Sequence, residues 1–296
     1  MRLITGASGL LGRALVSRLS GGAGVAGVSK SGRHQTTICD LSDPSSVEKL
    51  FKNTPFTAVI HTAAYSDVDG CERDPELAHR SNALATKYLA QMCSQYRIPL
   101  VHISTDYVFD GKKKSPYQET DPTHPVNIYG LTKLEGEFQA AIAPVSAIVR
   151  TSWLFGNEDP KNFVNAVLNN LKTQSLVRVL EDQEDRPTYV KDLALAIEKI
   201  TIHLEQFLKK NPEGRLAEIF HVANQGGTTR YQMTLEMKKI LGLSQVTVET
   251  LDKDTLQGRL AIRPPYAVMS TKKYDEFFGG ALRPWQEAMR DYLKGE

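Results

Sequence analysis

Residues 5–12 read TGASGLLG, with glycines at positions 6, 9 and 12. The stretch follows a short β-rich run, RLIT at 2–5, and opens a pattern of helical spacing that continues to about Leu19. Its G-x-x-G-x-x-G spacing departs from the G-x-G-x-x-G of the standard dinucleotide fingerprint, yet the physical demands are the same. One glycine permits the tight turn, one lets the backbone approach a pyrophosphate, and one lets the helix pack on the strand. The start of the following helix then turns N–H groups and a partial positive charge toward the phosphates. Gly6, Ser8, Gly9, Leu10, Leu11 and Gly12 are the candidate contacts. A glycine triplet alone is weak evidence, and the strand before it and helix after it are what strengthen it.

Outward from this loop, short β-rich runs alternate with helical patterns. GVAGV (24–28), TTIC (36–39), AVIHTAA (58–64), PLVHIST (99–105) and SAIVRT (146–151) read as strands. DPSSVEKLFKN (43–53) reads as a helix with Asp43 as N-cap and Pro44 at the first helical position. A long helix is expected over about 75–96 and another over NIYGLTKLEGE (127–137). This alternation predicts an α/β fold of Rossmann type, a doubly wound parallel sheet with helices on both faces. After Ser152 the rhythm loosens. VRVLED (177–182), a helix over about 191–209, EIFHVA (218–223) and a helix over about 229–241 are visible, and RPPYAVMSTKKYDEFFGG (263–280) reads as irregular. The expected organisation is a dinucleotide-binding domain over 1–155 and a smaller α/β substrate-binding region over 156–296, some of whose elements return to the first.

The 296 residues carry a formal charge of only +2, which argues against a nucleic-acid or membrane partner. Lys112–Lys113–Lys114 reads as a solvated loop tip. Three cysteines (Cys39, Cys71 and Cys93) without C-x-x-C spacing argue against a disulfide scaffold or a zinc site and suit a reducing compartment. No metal ligand set is evident. No apolar run approaches the roughly 18 residues of a membrane span. Neither is a basic stretch followed by an apolar one found near the N-terminus, so the expected location is cytoplasmic.

The second strand runs into SKSGRH, where the carboxylate that would receive a ribose 2′-hydroxyl is missing. Ser29, Lys30 and Arg33 are placed to hold a 2′-phosphate by charge-assisted hydrogen bonds, which favours NADPH, with NADH and a plain solvated basic loop as the alternatives. Asp40–Leu41 after the third strand suits an adenine, although Asp40 equally suits a turn cap. Ala63 and Ala64 end the fourth strand, where small side chains leave room for a cofactor, and Tyr65 follows them as a further candidate contact.

In NIYGLTKLEGE, Tyr129 and Lys133 stand four apart. At 100° per residue Leu131, Leu134, Phe138, Ala141 and Ile142 share one helical face, and Tyr129 lies roughly opposite it. Lys133 is about 40° from Tyr129 and Glu137 about 80°. The pair looks away from the apolar stripe, toward either a cleft or solvent. Chemistry favours the cleft. A phenol is a poor acid at neutral pH unless a nearby ammonium stabilises its phenolate. The preceding strand ends in Ser104, Thr105 and Asp106, at the edge where open α/β sheets bind ligands. Glu137 is expected to pair with Lys133 or to lie on the surface.

These features together resemble the short-chain dehydrogenase/reductase superfamily, in its extended branch. AAYSDVDGCERDPELAHRSNA, HISTDYVFDG, PYQETDPTHPVNIYGLTKLEGE, VRTSWLFG and RPPYAVMSTKKYDE resemble, in order and over nearly the whole chain, the dTDP-4-dehydrorhamnose reductases. That resemblance implies reduction of the C4 ketone of a nucleotide-linked 6-deoxy-hexose by NADPH. It implies Tyr129 as proton donor, Lys133 as the group that lowers its pKa and holds the ribose, and Thr105 as the hydroxyl on the substrate oxygen, with Ser104 as the rival for that role. Val68, Asp106, Tyr107 and Trp153 match positions around the sugar.

Two departures stand out. Family members that form a metal-linked dimer have an acid two positions after the third glycine, where this chain has Ala14. A homodimer is therefore compatible with the sequence, but a metal-dependent one is not carried over. Before its Pro-Thr the family usually has a Gly or Ser, whereas this chain reads DQEDRPT, with Glu184, Asp185 and Arg186 near the expected substrate. The dehydratases of the same branch carry Asp-Glu after the strand-end Thr, and here the pair is Asp106–Tyr107. Epimerases retain NAD, which the missing acid disfavours. A further resemblance, to the non-catalytic regulatory subunit of methionine adenosyltransferase, implies dinucleotide binding without turnover.

Overall fold

The computed structural model describes residues 1–21, 24–52, 54–156, 162–251 and 258–295. Its strands are β1 (Arg2–Thr5), β2 (Val25–Ser29), β3 (Thr37–Ile38), β4 (Ala58–His61), β5 (Leu100–Thr105) and β6 (Val145–Thr151). They continue with β7 (Leu154–Phe155), β8 (Leu176–Leu180), β9 (Glu184–Asp185), β10 (Thr188–Tyr189), β11 (Leu216–His221), β12 (Thr228–Thr229) and β13 (Thr247–Leu251). The helices of the first half are α1 (Leu10–Leu19), α2 (Pro44–Lys52), α3 (Val68–Arg73), α4 (Pro75–His79), α5 (Ala85–Tyr96) and α6 (Ile128–Ala140). Those of the second are α7 (Phe163–Thr173), α8 (Val190–Lys210), α9 (Arg230–Ile240), α10 (Lys272–Phe278) and α11 (Trp285–Lys294).

Seven strands form one sheet in the order β11-β6-β5-β4-β1-β2-β3, and every pairing is parallel. The alternation of strand and helix in the sequence demanded this, because a parallel pair needs a crossover. From β1 the order runs outward in both directions, so a crevice opens beyond the carboxyl ends of β1 and β4. Register aligns those ends: Thr5 lies beside Val28 and His61, and Thr105 beside Thr151. β11 comes back from the second half to extend the sheet beside β6. The remaining strands pair off as β7 with β10, β8 with β13, and β9 with β12.

Helices cover both faces. α8 presents Leu193, Ile197, Ile200 and Leu204 at helical spacing and packs them with Leu11 and Leu15 of α1 against Ile4, Val101 and Val149 of the sheet. On the other face Val47 and Phe51 of α2 meet Leu89 and Cys93 of α5 over Leu3, Val59 and Leu100. A third core, built from Phe155, Leu171, Tyr189, Met237, Trp285 and Met289, holds the second half together. As expected, Asp43 caps α2, accepting from the amides of Ser45 at 3.0 Å and Ser46 at 3.2 Å. The last residue of the expected helix, Asn53, lies outside the described residues. The helix expected over 75–96 is interrupted by a π-helical turn at Arg80–Leu84. The stretch 263–280 is not wholly irregular, since α10 closes it with Tyr274 buried in the main core.

α6 inverts its apparent amphipathicity. Leu131 and Phe138 of the apolar stripe are 43% and 67% exposed, while Thr132, Lys133, Gly136 and Glu137 face inward. The inward face has to be small because the backbones meet there: a Cβ on Gly136 would sit 2.7 Å from the carbonyl oxygen of Asn82. Glu137 is neither at the surface nor paired with Lys133, in contrast to the expectation. It is 3% exposed, takes both guanidinium arms of Arg150 at 2.7 and 2.9 Å, and accepts the Ser104 hydroxyl at 2.5 Å. This pair ties α6 to β5 and β6 inside the protein, where a lone charge is costly. Glu137→Ala should therefore destabilise the fold by about 3–5 kcal/mol, and replacing Glu137 and Arg150 together by methionine should cost less than that single change. Guanidinium denaturation midpoints of the two variants check this.

Candidate active site

The chain between β1 and α1 turns sharply at Gly6, whose φ of +64° favours glycine, and the Gly9 amide donates to the Gly6 carbonyl at 2.9 Å. A Cβ on Gly12 would lie 2.2 Å from that same carbonyl oxygen, so the glycine is what lets α1 sit against the loop. The loop opens into a cleft of about 700 Å³. At one end of this cleft lie the glycine loop and the first turn of α1, and at the other lie Tyr129, Lys133 and Trp153. An adjoining pocket of about 290 Å³ takes in Asp40, Leu41 and Tyr65, and shares Gly6, Ser29, Lys30, Ala63 and Ala64 with the cleft. A long ligand with phosphates at its middle fits this shape, and the glycine cradle that a Cβ would fill is the observation that suits a dinucleotide.

Around SKSGRH the structure adds what the sequence order hides. Lys30 Nζ lies 3.1 Å from Asp40 Oδ2, so an acid does reach the end of β2, delivered by the end of β3. The other oxygen of Asp40 accepts from the amide and hydroxyl of Ser42, at 2.9 and 2.6 Å, and those bonds hold its pKa below the usual carboxylate value. Ser29 is committed to the turn, accepting the Gly32 amide at 3.0 Å and bonding the Thr36 hydroxyl at 2.6 Å. Arg33 lines neither cavity. It stands exposed beside the positive-φ residues His34 and Gln35, and its guanidinium has no partner among the described residues.

At the other end the carboxyl terminus of β5 meets the N-terminal half of α6, whose first turn is capped by Asn127 accepting the Gly130 amide at 2.8 Å. Thr105 accepts the Tyr107 amide at 3.2 Å, donates to Asp106 Oδ1 at 2.9 Å, and lies close to the Tyr129 phenol. Ser104, its rival, lines the same cleft, but its proton is committed to Glu137. Burial first, and then the nearby Asp106, push the Tyr129 phenol above its ordinary pKa, so it is held protonated. Lys133 is 2% exposed; its amine donates to the Ile103 carbonyl at 2.6 Å and lies 3.5 Å from His102 Nε2. Burial lowers its pKa to about 8, and it lowers that of His102 so far that the imidazole is neutral.

Val68, at the start of α3, and Tyr107, whose ring meets that of Tyr129 edge-on at 5.9 Å, line the cleft. Trp153 also lines the cleft, with a φ of +40°, strained for a residue with a side chain, and with its indole under the Arg230 guanidinium at 5.2 Å. Four residues near the site escaped the sequence reading. Asn82 is fully buried, accepts the Tyr65 amide at 2.8 Å and donates to Thr132. Gln183 donates to the Tyr107 hydroxyl at 3.1 Å. Asn162 lines the cleft, and Arg230 covers Trp153. None has a local pattern that marks it; Gln183 alone was within reach, because it sits in the DQEDRPT stretch already noted.

The whole chain, residues 1–296, matches the RmlD substrate binding domain family. It is 34% identical to the spore coat polysaccharide biosynthesis protein SpsK of Bacillus subtilis, over 99% of this chain and 96% of that one. It is also 34% identical to the dTDP-4-dehydrorhamnose reductase of Mycolicibacterium smegmatis, over 98% of this chain and 84% of that one. The crystal structure of dTDP-4-dehydrorhamnose reductase from Bacillus anthracis in complex with NADP superposes with a TM-score of 0.88 at 29% identity, covering 100% of this chain and 99% of that one. Matched over its whole length by the family and at 34% identity by relatives that it covers almost entirely, this protein belongs to the RmlD substrate-binding-domain family.

Proposed function

We propose that the protein reduces the C4 ketone of a nucleotide-linked 6-deoxy-hexose, of the dTDP-4-dehydro-L-rhamnose type, using NADPH. One observation carries this reading: the Thr105 hydroxyl, Tyr129 phenol and Lys133 amine converge at the far end of the cleft that the glycine cradle opens. Gly6, Ser8, Gly9, Leu10, Leu11 and Gly12 would hold the pyrophosphate, Asp40 and Leu41 the adenine, and Ala63, Ala64 and Tyr65 the intervening wall. The nicotinamide, when bound, supplies the hydride. The chain's own residues handle the proton. Thr105 hydrogen-bonds the carbonyl oxygen, Tyr129 gives it a proton, and the Lys133 ammonium stabilises the phenolate left behind and holds the nicotinamide ribose. Val68, Asp106, Tyr107 and Trp153 would surround the sugar, with residues 156–296 supplying most of the remaining substrate contacts. A purely regulatory, dinucleotide-binding role would leave the converging Thr105, Tyr129 and Lys133 without a use. No helix among the described residues is long and apolar enough to cross a membrane, and the chemistry suits the cytoplasm.

NADPH oxidation, followed at the nicotinamide band with dTDP-4-dehydro-L-rhamnose as substrate, tests the proposal. Tyr129→Phe should lower kcat by about 10²–10⁴, and a wild-type rate no higher than that of the variant would sink the assignment. The pH profile follows from Lys133. Its lowered pKa means that the ammonium is present below about 8 and lost above it, so kcat/KM should fall as the pH rises through that value. Lys133→Met should lack this limb. Lys30, whose exposed pair with Asp40 is weak and which lines both cavities, and the exposed Arg33 are the cations for a 2′-phosphate. Arg33→Ala should raise the KM for NADPH about tenfold, equivalent to about 1.4 kcal/mol, and leave that for NADH unchanged.

A further inference from the structure

Four arginines stand around the end of the cleft that holds Tyr129 and Trp153, and they differ in what they are bound to. Arg186 donates to Thr271 at 3.3 Å, and its carbonyl accepts the hydroxyl of the cleft residue Ser152 at 2.9 Å. Arg259 forms an ion pair with Asp182, next to Gln183, whose amide donates to the Tyr107 hydroxyl at 3.1 Å. Arg263 gives two nitrogens to Asp69, at 2.7 and 2.8 Å, and Asp69 directly follows Val68 of the cleft wall. Arg230 has no such partner. Its guanidinium lies over the Trp153 ring at 5.2 Å and the Phe163 ring at 4.6 Å. Its Nε is buried without a hydrogen bond, and no carboxylate among the described residues pairs with it. Both rings belong to the cleft's border, since Trp153 lines it and so does Asn162, the residue before Phe163. Burial works against the charge of Arg230, and Asp182, whose charge it feels, is taken by Arg259. A cation drawn out of water without a counter-ion is costly to the fold, and an anion arriving beside it would relieve that cost.

A nucleotide-linked sugar brings a diphosphate of its own. The glycine cradle serves the diphosphate of the dinucleotide, and the cations lining the cleft among the described residues are Lys30 and Lys133. Lys30 stands near the cradle, and the Lys133 amine is turned to the Ile103 carbonyl at 2.6 Å. We propose that Arg230 is a specificity-determining residue: its guanidinium is the counter-cation for the diphosphate that joins nucleoside to sugar in the substrate, received beside Trp153 and the start of α7. The inference rests on the reductase reading and adds to it the group that distinguishes a nucleotide-linked sugar from a free one. A guanidinium can give its flat faces to aromatic rings and keep its in-plane N–H donors for paired phosphate oxygens. In a half-buried place that attraction is screened less than at an open surface.

Calorimetric titration of the NADP-saturated protein with dTDP and with thymidine, which lacks the phosphates, tests this without turnover. Wild type should bind dTDP at least about tenfold more tightly than thymidine. Arg230→Met keeps an apolar chain between the rings and removes the charge, and Arg230→Gln keeps a planar donor without it; thermal unfolding verifies that they fold. Either variant should lose most of the dTDP margin while its thymidine affinity stays within about threefold of wild type. In turnover, KM for dTDP-4-dehydro-L-rhamnose should rise about tenfold, with kcat and the KM for NADPH changing less than about threefold. An unchanged dTDP affinity in a folded variant overturns the proposal, as does an equal loss of dTDP and thymidine, which would mark Arg230 as a support for the wall or a contact to the base. A wild type that binds dTDP no more tightly than thymidine overturns it with no variant needed. If the margin is present and depends on Arg230 but no ketone is reduced, the reductase reading fails by itself.

Discussion

The amine of Lys133 is buried against the backbone of β5, donating to the Ile103 carbonyl at 2.6 Å, with α6 packed tightly on the Arg80–Leu84 turn and on the His102 side chain of β5. Glycines and short side chains on the inward face allow the approach, and the Glu137–Arg150 pair beneath it fixes the depth. With the helix so placed, Tyr129 stands over the end of β5 beside Thr105, and Ser104 is drawn away to Glu137. The same seating explains why the helix turns its leucine and phenylalanine outward: the face that would normally fill a core is traded for polar groups that are each satisfied inside. Burying so many of them is costly, and the compensation comes from two sets of hydrogen bonds, Asn82 with Thr132 and Ser104 with Glu137 and Arg150.

Electrostatically, the site works by removing water. The amine of Lys133 is left less basic and the Tyr129 phenol less acidic than in solution, so a protonated phenol and an ammonium coexist over a bounded pH range. His102 and His61, packed at 5.3 Å below them, stay neutral and add no competing charge. Opposite, the second half places Asp185 in the stretch where the resemblance led one to expect a small residue, near Asp106, which follows the strand-end threonine. The site is thus assembled across a long sequence separation, with β9 and β12 holding the loop that carries Asp185.

Much of this was legible in the chain itself. Alternating strands and helices, a glycine loop between the first strand and helix, and Tyr129 one turn before Lys133 are local patterns. Each follows from backbone geometry or side-chain chemistry within a few residues, and they sufficed for the fold class and the cofactor and for proposing Tyr129 and Lys133 as a pair. What the sequence could not reveal depends on distant segments meeting. Helical periodicity placed Tyr129 opposite an apolar stripe but could not tell which side of α6 meets the sheet, because that depends on backbone clearance at residues such as Gly136. Glu137 therefore read as a surface residue until Arg150, on a neighbouring strand, arrived beside it. Lys30 likewise appeared unpaired until β3 brought Asp40 to it. Asp106 and Asp185 are 79 positions apart. Composition and spacing determined which chemical groups the chain would offer a dinucleotide and a ketone. Only the tertiary structure decided which of those groups are paired, dry and facing one another, since burial and contact, not residue type, set the energy of a charge.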